Sequence, residues 1–78
     1  MIEMKLYYWS DVEELADYAT GEVIIMADSL QEALDTIRKQ LIEAKETDHF
    51  IDELMKELKN TEPFVYDTPT AIWIGGSA

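Results

Sequence analysis

A switch of period near residue 28 constrains this chain more than any other feature in it. From Glu22 to Ala27 the residues are almost all β-branched or apolar, and from Leu30 onward the apolar positions recur at helical spacing. The first pattern is that of a strand covered on both faces. In the second, Leu30, Ala33, Leu34, Ile37, Leu41 and Ala44 fall in one narrow arc at about 100° per residue, with Glu32, Asp35, Lys39, Glu43 and Glu46 opposite. Between the two, Ser29-Leu30-Gln31-Glu32 reads as a capping box, with Ser29 at N-cap and Glu32 at N3. A capped helix fed by an apolar strand must bury its arc on a sheet. Leu34, Ile37 and Leu41 are expected against Ile24 and Met26.

The flanking segments complete the layers. Residues 2–9 alternate, with Ile2, Met4, Leu6 and Tyr8 expected inward and Glu3, Lys5, Tyr7 and Trp9 outward. Ser10-Asp11-Val12-Glu13 reads as another capping box, opening a short helix through Val12, Leu15, Ala16 and Ala19 that stops at Gly21. Thr47-Asp48 caps a further helix ending near Lys59, with Phe50, Ile51, Leu54, Met55 and Leu58 on its buried side. Residues 63–66 and 70–74 read as short strands joined by a turn at Asp67-Thr68-Pro69-Thr70. The expected fold is α/β of the α+β type: a small, mostly antiparallel sheet of three or four strands, two main helices on one face and one short helix. It forms a single domain over residues 1–78, with a frayed end at 75–78.

Composition narrows the function. The chain carries 17 Asp and Glu against 6 Lys and Arg, a formal net charge of -11 on 78 residues, and its hydrophobic share of 47% calls for a packed core. Such a charge opposes direct contact with a nucleic-acid backbone or an anionic membrane and favours a basic partner. Cysteine is absent, which removes thiol catalysis, disulfides and Cys-based metal sites. Met1 to Lys5 shows neither the basic region nor the long apolar region of a signal peptide, and the longest apolar run, Val23 to Ala27, is far short of the ~20 residues a bilayer span needs. A cytoplasmic location is expected.

No catalytic constellation stands out. Ser10 and Ser29 are assigned to caps, Ser77 lies in the tail, and the single His49 has no serine beside it on its helix. His49 with Asp52 and Glu53 forms at most one edge of a metal site and reads instead as an outward helix face. No Gly-rich phosphate loop is present. The expectation is a non-enzyme without metal or cofactor.

The charge, by contrast, is patterned. Between Lys5 and Arg38 no basic residue occurs, while Asp11, Glu13, Glu14, Asp17, Glu22, Asp28, Glu32 and Asp35 all do. The excess is larger than the net charge of roughly 2–8 that solubility alone calls for in a small domain. These eight acids, together with outward-facing Tyr7 and Trp9, are the candidate partner-binding surface, because aromatic side chains combine area with a polar handle. Trp73 alternates away from Ile72 and Ile74 and is expected to be buried in the core or in a dimer. A homodimer is compatible with this pattern. A second reading, a nucleotide-sequestering oligomer, would line its interface with Tyr7, Trp9 and Trp73, and a third is a general housekeeping interaction protein.

The segment Ala27-Asp28-Ser29-Leu30-Gln31-Glu32-Ala33, in a small, acidic, cysteine-free α/β chain, resembles short phage and prophage proteins, some of them anti-CRISPR or other anti-defence inhibitors. The resemblance covers about residues 21–45 together with size and charge. That class shares no sequence motif, so no binding residue is carried over. The resemblance implies a non-enzymatic inhibitor acting in the host-cell cytoplasm, one that mimics nucleic acid and occupies a nucleic-acid-binding surface of a defence complex.

Overall fold

The computed structural model describes residues 4–15 and 21–73. Three strands, β1 (Lys5–Val12), β2 (Gly21–Ala27) and β3 (Phe64–Tyr66), form one antiparallel sheet in the order β2-β1-β3. Helix α1 (Leu30–Glu43) lies over β2, and α2 (Asp48–Asn60) lies over β1. Both helices share one core with the sheet, so the expected two-layer α+β architecture is present. Among the described residues there are three strands, and residues 70–73 form none. Ile2, Glu3, Ala16, Ala19, Ile74 and the tail at 75–78 lie outside the described residues.

The alternation of β1 is as expected, but its phase is the reverse. Tyr7 and Trp9 face the helices, Trp9 with 1% of its surface exposed, while Met4 on the other face is 52% exposed. Both faces of the strand carry apolar side chains, so period two alone leaves the choice of inward face open. Size and hydrogen bonding decide it. Trp9 is the bulkiest fully buried side chain, and its indole N–H donates to the carbonyls of Leu58 (3.2 Å) and Thr61 (2.9 Å) where α2 ends. Its ring stacks against Tyr7 at 6.5 Å.

Pairing carries the same phase across the sheet. Tyr7 pairs with Ile25 and Trp9 with Val23, putting Val23, Ile25 and Ala27 inward. Ile24 and Met26 therefore point away from the helices, 47% and 64% exposed. The expected seat of α1 on those two residues, and the reading of β2 as covered on both faces, are both corrected. Helix α1 packs through buried Ala33 and Leu34 and half-buried Ile37 and Leu41 onto the opposite face.

The short helix expected from Ser10 is replaced by a bulge and a single 3-10 turn, Glu13–Leu15. Ser10 and Asp11 stand opposite Glu22 alone, because the pairing jumps from Trp9 with Val23 to Val12 with Gly21. The extra residue lets Val12, three places after Trp9, return to the inner face, where it is buried. Asp11, in the bulge, takes the left-handed conformation, with φ 55°. The local capping box loses to a tertiary cap: the N–H groups of Glu13 and Glu14 donate to the two carboxylate oxygens of Glu57 on α2, at 2.7 and 3.0 Å. Gly21 serves the same corner. A Cβ there would run into that of Leu15 and stand 2.8 Å from the Val12 carbonyl oxygen.

The two main helices start where their caps place them. Ser29 Oγ accepts from Glu32 N–H at 3.1 Å, and Glu32 reaches back to the N–H of Asp28. Thr47 Oγ1 accepts from Phe50 N–H at 3.2 Å. At its far end α1 closes with the Lys45 N–H on the Ile42 carbonyl and the Glu46 N–H on the Leu41 carbonyl, Lys45 at φ 62°. That is a Schellman closure with lysine where glycine is preferred.

Two outcomes follow for stability. Lys45→Gly relieves the left-handed conformation and should stabilise the fold by about 0.5–1 kcal/mol, read as a raised urea midpoint at constant m-value. Trp9→Phe removes the N–H from two carbonyls and leaves a gap, and should cost about 2–3 kcal/mol, whereas Met26→Ala on the open face should stay within about 1 kcal/mol. Equal losses in Trp9→Phe and Met26→Ala would show the inner face to be misassigned.

Candidate functional site

The bulge, the 3-10 turn and α2 meet at one end of the sheet and border an open hollow of about 420 Å³. The backbone reversal at Asp11 presents its carboxylate there, the turn presents Glu13 and Glu14, and α2 supplies Glu53, Lys56, Glu57 and Asn60 at three- and four-residue spacing along one stripe, with Thr61 beyond its end. Five carboxylates thus share the lining with one cation, Lys56. They differ in role. Glu57 is held by two backbone N–H groups and closes the corner, while Asp11, Glu13 and Glu14 are exposed and Glu53 half-buried. The lining holds neither serine nor histidine. Exposed carboxylates of this kind can accept charge-assisted hydrogen bonds from ammonium or guanidinium groups.

The structure divides the acidic stretch rather than gathering it on one face. Asp11, Glu13 and Glu14 belong to the hollow. Asp28, Glu32 and Asp35 stand at the N-terminus of α1, six residues further along from Glu22, roughly 20 Å away at strand rise. There they serve the helix: Glu32 caps, Asp35 accepts from the Gln31 amide at 3.0 Å, and acids favour a helix N-terminus in any case. Glu22 lies on the open face of the sheet and accepts the Tyr8 hydroxyl proton at 2.9 Å. That hydrogen bond, with the charge of Glu22 behind it, pushes the Tyr8 phenol above its usual range. Asp17 lies outside the described residues. Tyr7 and Trp9 are buried in the core and leave the candidate surface. Trp73, expected to be covered, is 85% exposed.

Sequence reasoning missed the open face of the sheet. Leu6 pairs with Met26 and Tyr66, and Tyr8 with Ile24 and Phe64, giving two cross-strand apolar rows that no helix covers among the described residues. A hollow of about 360 Å³ at one side is lined by Met4, Leu6, Met26 and Tyr66 and by the turn at 67–70. The signal was present: both faces of β1 and β2 are apolar, while two helices cover only one face. Glu53 and Glu57 were missed too, because their helix is remote in sequence from the turn they close on. His49 is exposed on α2, and among the described residues no group of His, Asp and Glu is placed to hold a metal ion.

Comparison with protein-family models, with curated proteins and with solved structures finds no match to this chain.

Glu57 can be tested directly. Glu57→Gln keeps its shape but offers one acceptor oxygen where two N–H groups converge, and should cost about 1–2 kcal/mol, against about 0.5 or less for Glu53→Gln in the same hollow. Chemical denaturation of the two variants side by side gives the comparison. At Tyr8, Glu22→Gln should let the phenol ionise at lower pH, read from its ring carbon shifts in a high-pH NMR titration. An unmoved titration would show the hydrogen bond to be absent in solution.

Proposed function

We propose that this protein is a non-enzymatic interaction module whose acid-rich end engages a basic site on a partner protein. In the phage-type inhibitor reading, carboxylates stand where the phosphates of a nucleic acid would lie in a host defence complex. The observation that carries the proposal is the hollow at the bulge: three separate elements bring five acidic residues and a single lysine to its lining. Carboxylates presented from three elements offer a cationic side chain of a partner several charge-assisted acceptors at once. The net charge of -11 adds long-range attraction to a basic surface. The nucleotide-sponge reading loses its basis, since two of its three aromatic side chains, Tyr7 and Trp9, fill the core.

The experiment is capture of partners from a bacterial lysate at low and high salt, followed by kinetics on the purified pair. Exposed charges act mainly on association rate and its salt dependence. A basic partner should be displaced by duplex DNA, and reversal of Glu13, Glu14 and Glu53 to Lys should slow association and flatten its dependence on salt. Wild-type association of that triple variant at low salt would place the contact elsewhere.

A further inference from the structure

The two edges of the sheet are treated very differently by the sequence. The β3 edge is three residues long and lies between Pro63 and Pro69, and proline and brevity are the usual guards against a strand adding to an edge. The β2 edge is seven residues long, Gly21–Ala27, with no proline, no lysine and no bulge of its own, and among the described residues it has a hydrogen-bonded neighbour on one side only. It also carries Ile24 and Met26, two of the four exposed large apolar side chains of the strands, the other two being Phe64 and Val65 on β3. A long, apolar, unguarded edge is a template for another strand.

We infer that two copies of this chain pair along β2, antiparallel about a twofold axis near Ile24, into one continuous six-stranded sheet. Charge selects this occupant. The only charged residue of β2 is Glu22, close to one end. Antiparallel pairing about Ile24 sets Glu22 of one copy opposite Met26 of the other, so the two Glu22 carboxylates stand about 13 Å apart along the strand, beyond the ~8 Å screening length at physiological salt. Ile24 then meets Ile24, the two apolar open faces become one, and no acid opposes an acid in the ladder. A parallel, in-register arrangement would instead stack Glu22 on Glu22. The remaining obstacle is the mutual repulsion of two chains of net charge -11, which salt screens. This dimer therefore tightens as salt rises, the opposite of attachment to a basic partner, so the two ideas succeed or fail separately.

Sedimentation velocity on the full chain over about a hundredfold range of concentration, at low and high salt, reads the monomer–dimer equilibrium. The expected result is a dimer that strengthens with salt, together with amide exchange at residues 22–26 that slows as concentration rises. Ile24→Lys, at a half-exposed position, should keep the monomer fold by circular dichroism and raise the dissociation constant about tenfold or more, although it lowers the net repulsion. Phe64→Lys, on the open face of the far strand, should leave the dimer in place. Overturning results are a monomer at every concentration, a dimer indifferent to Ile24→Lys, or a dimer dispersed by Phe64→Lys with no concentration dependence of exchange in β2. The last would mean face-to-face packing. The amide-exchange measurement uses the unaltered chain, so it decides the matter even if a variant misfolds.

Discussion

The indole of Trp9 determines which side of the sheet is the inside. It sits in the central strand, is the bulkiest fully buried side chain, and donates its N–H to two carbonyls at the end of α2. Those carbonyls have no intrahelical partner of their own, so a buried donor and the end of a helix satisfy each other. One contact thereby fixes the phase of β1, the position of α2 across it and, through cross-strand pairing, the inward residues of β2. The open-face rows, half-buried Leu6 and Tyr8 beside exposed Ile24 and Met26, are the complement of that choice.

The same geometry builds the acidic end. For Val12 to rejoin the core after Trp9, β1 must gain a residue, and the bulge at Ser10 and Asp11 supplies it. The chain then turns tightly, Glu57 closes the turn from α2, and Gly21 leaves room for the return strand. Asp11, Glu13 and Glu14 meet Glu53 and Glu57 because the core demands the bulge, which links packing to the surface charge on which the functional proposal rests.

Much of the fold was legible in the residues. Ser29 and Thr47 cap helices that begin where the caps stand. The apolar arc of α2 and the middle of that of α1, from Ala33 to Leu41, face the core, while Leu30 and Ala44 at its ends are exposed. Capping and period are local properties read within one turn. What was not legible depended on partners far away in sequence. The apparent capping box at Ser10 gave way to Glu57, more than forty residues on, which offers the Glu13 N–H a charged acceptor in place of a hydroxyl. The phase of β1 was ambiguous since Met4, Leu6 and Tyr8 are as apolar as Tyr7 and Trp9, and only the position of α2 resolves it. The candidate site was half visible: Asp11, Glu13 and Glu14 were identified from charge, whereas the helix residues that complete the hollow needed the fold.

The phase of the sheet is the claim on which the rest stands, and the cysteine-free chain makes it measurable residue by residue. Single cysteines placed along β2 at Val23, Ile24, Ile25 and Met26 can be reacted with a thiol reagent under native conditions, at dilution and low salt. Reaction rates should alternate, near the free-thiol rate at positions 24 and 26 and protected by about tenfold or more at 23 and 25, where labelling must wait for the core to open. Protection at 24 and 26 with fast reaction at 23 and 25 would contradict the account, placing Trp9 outside and the open face within.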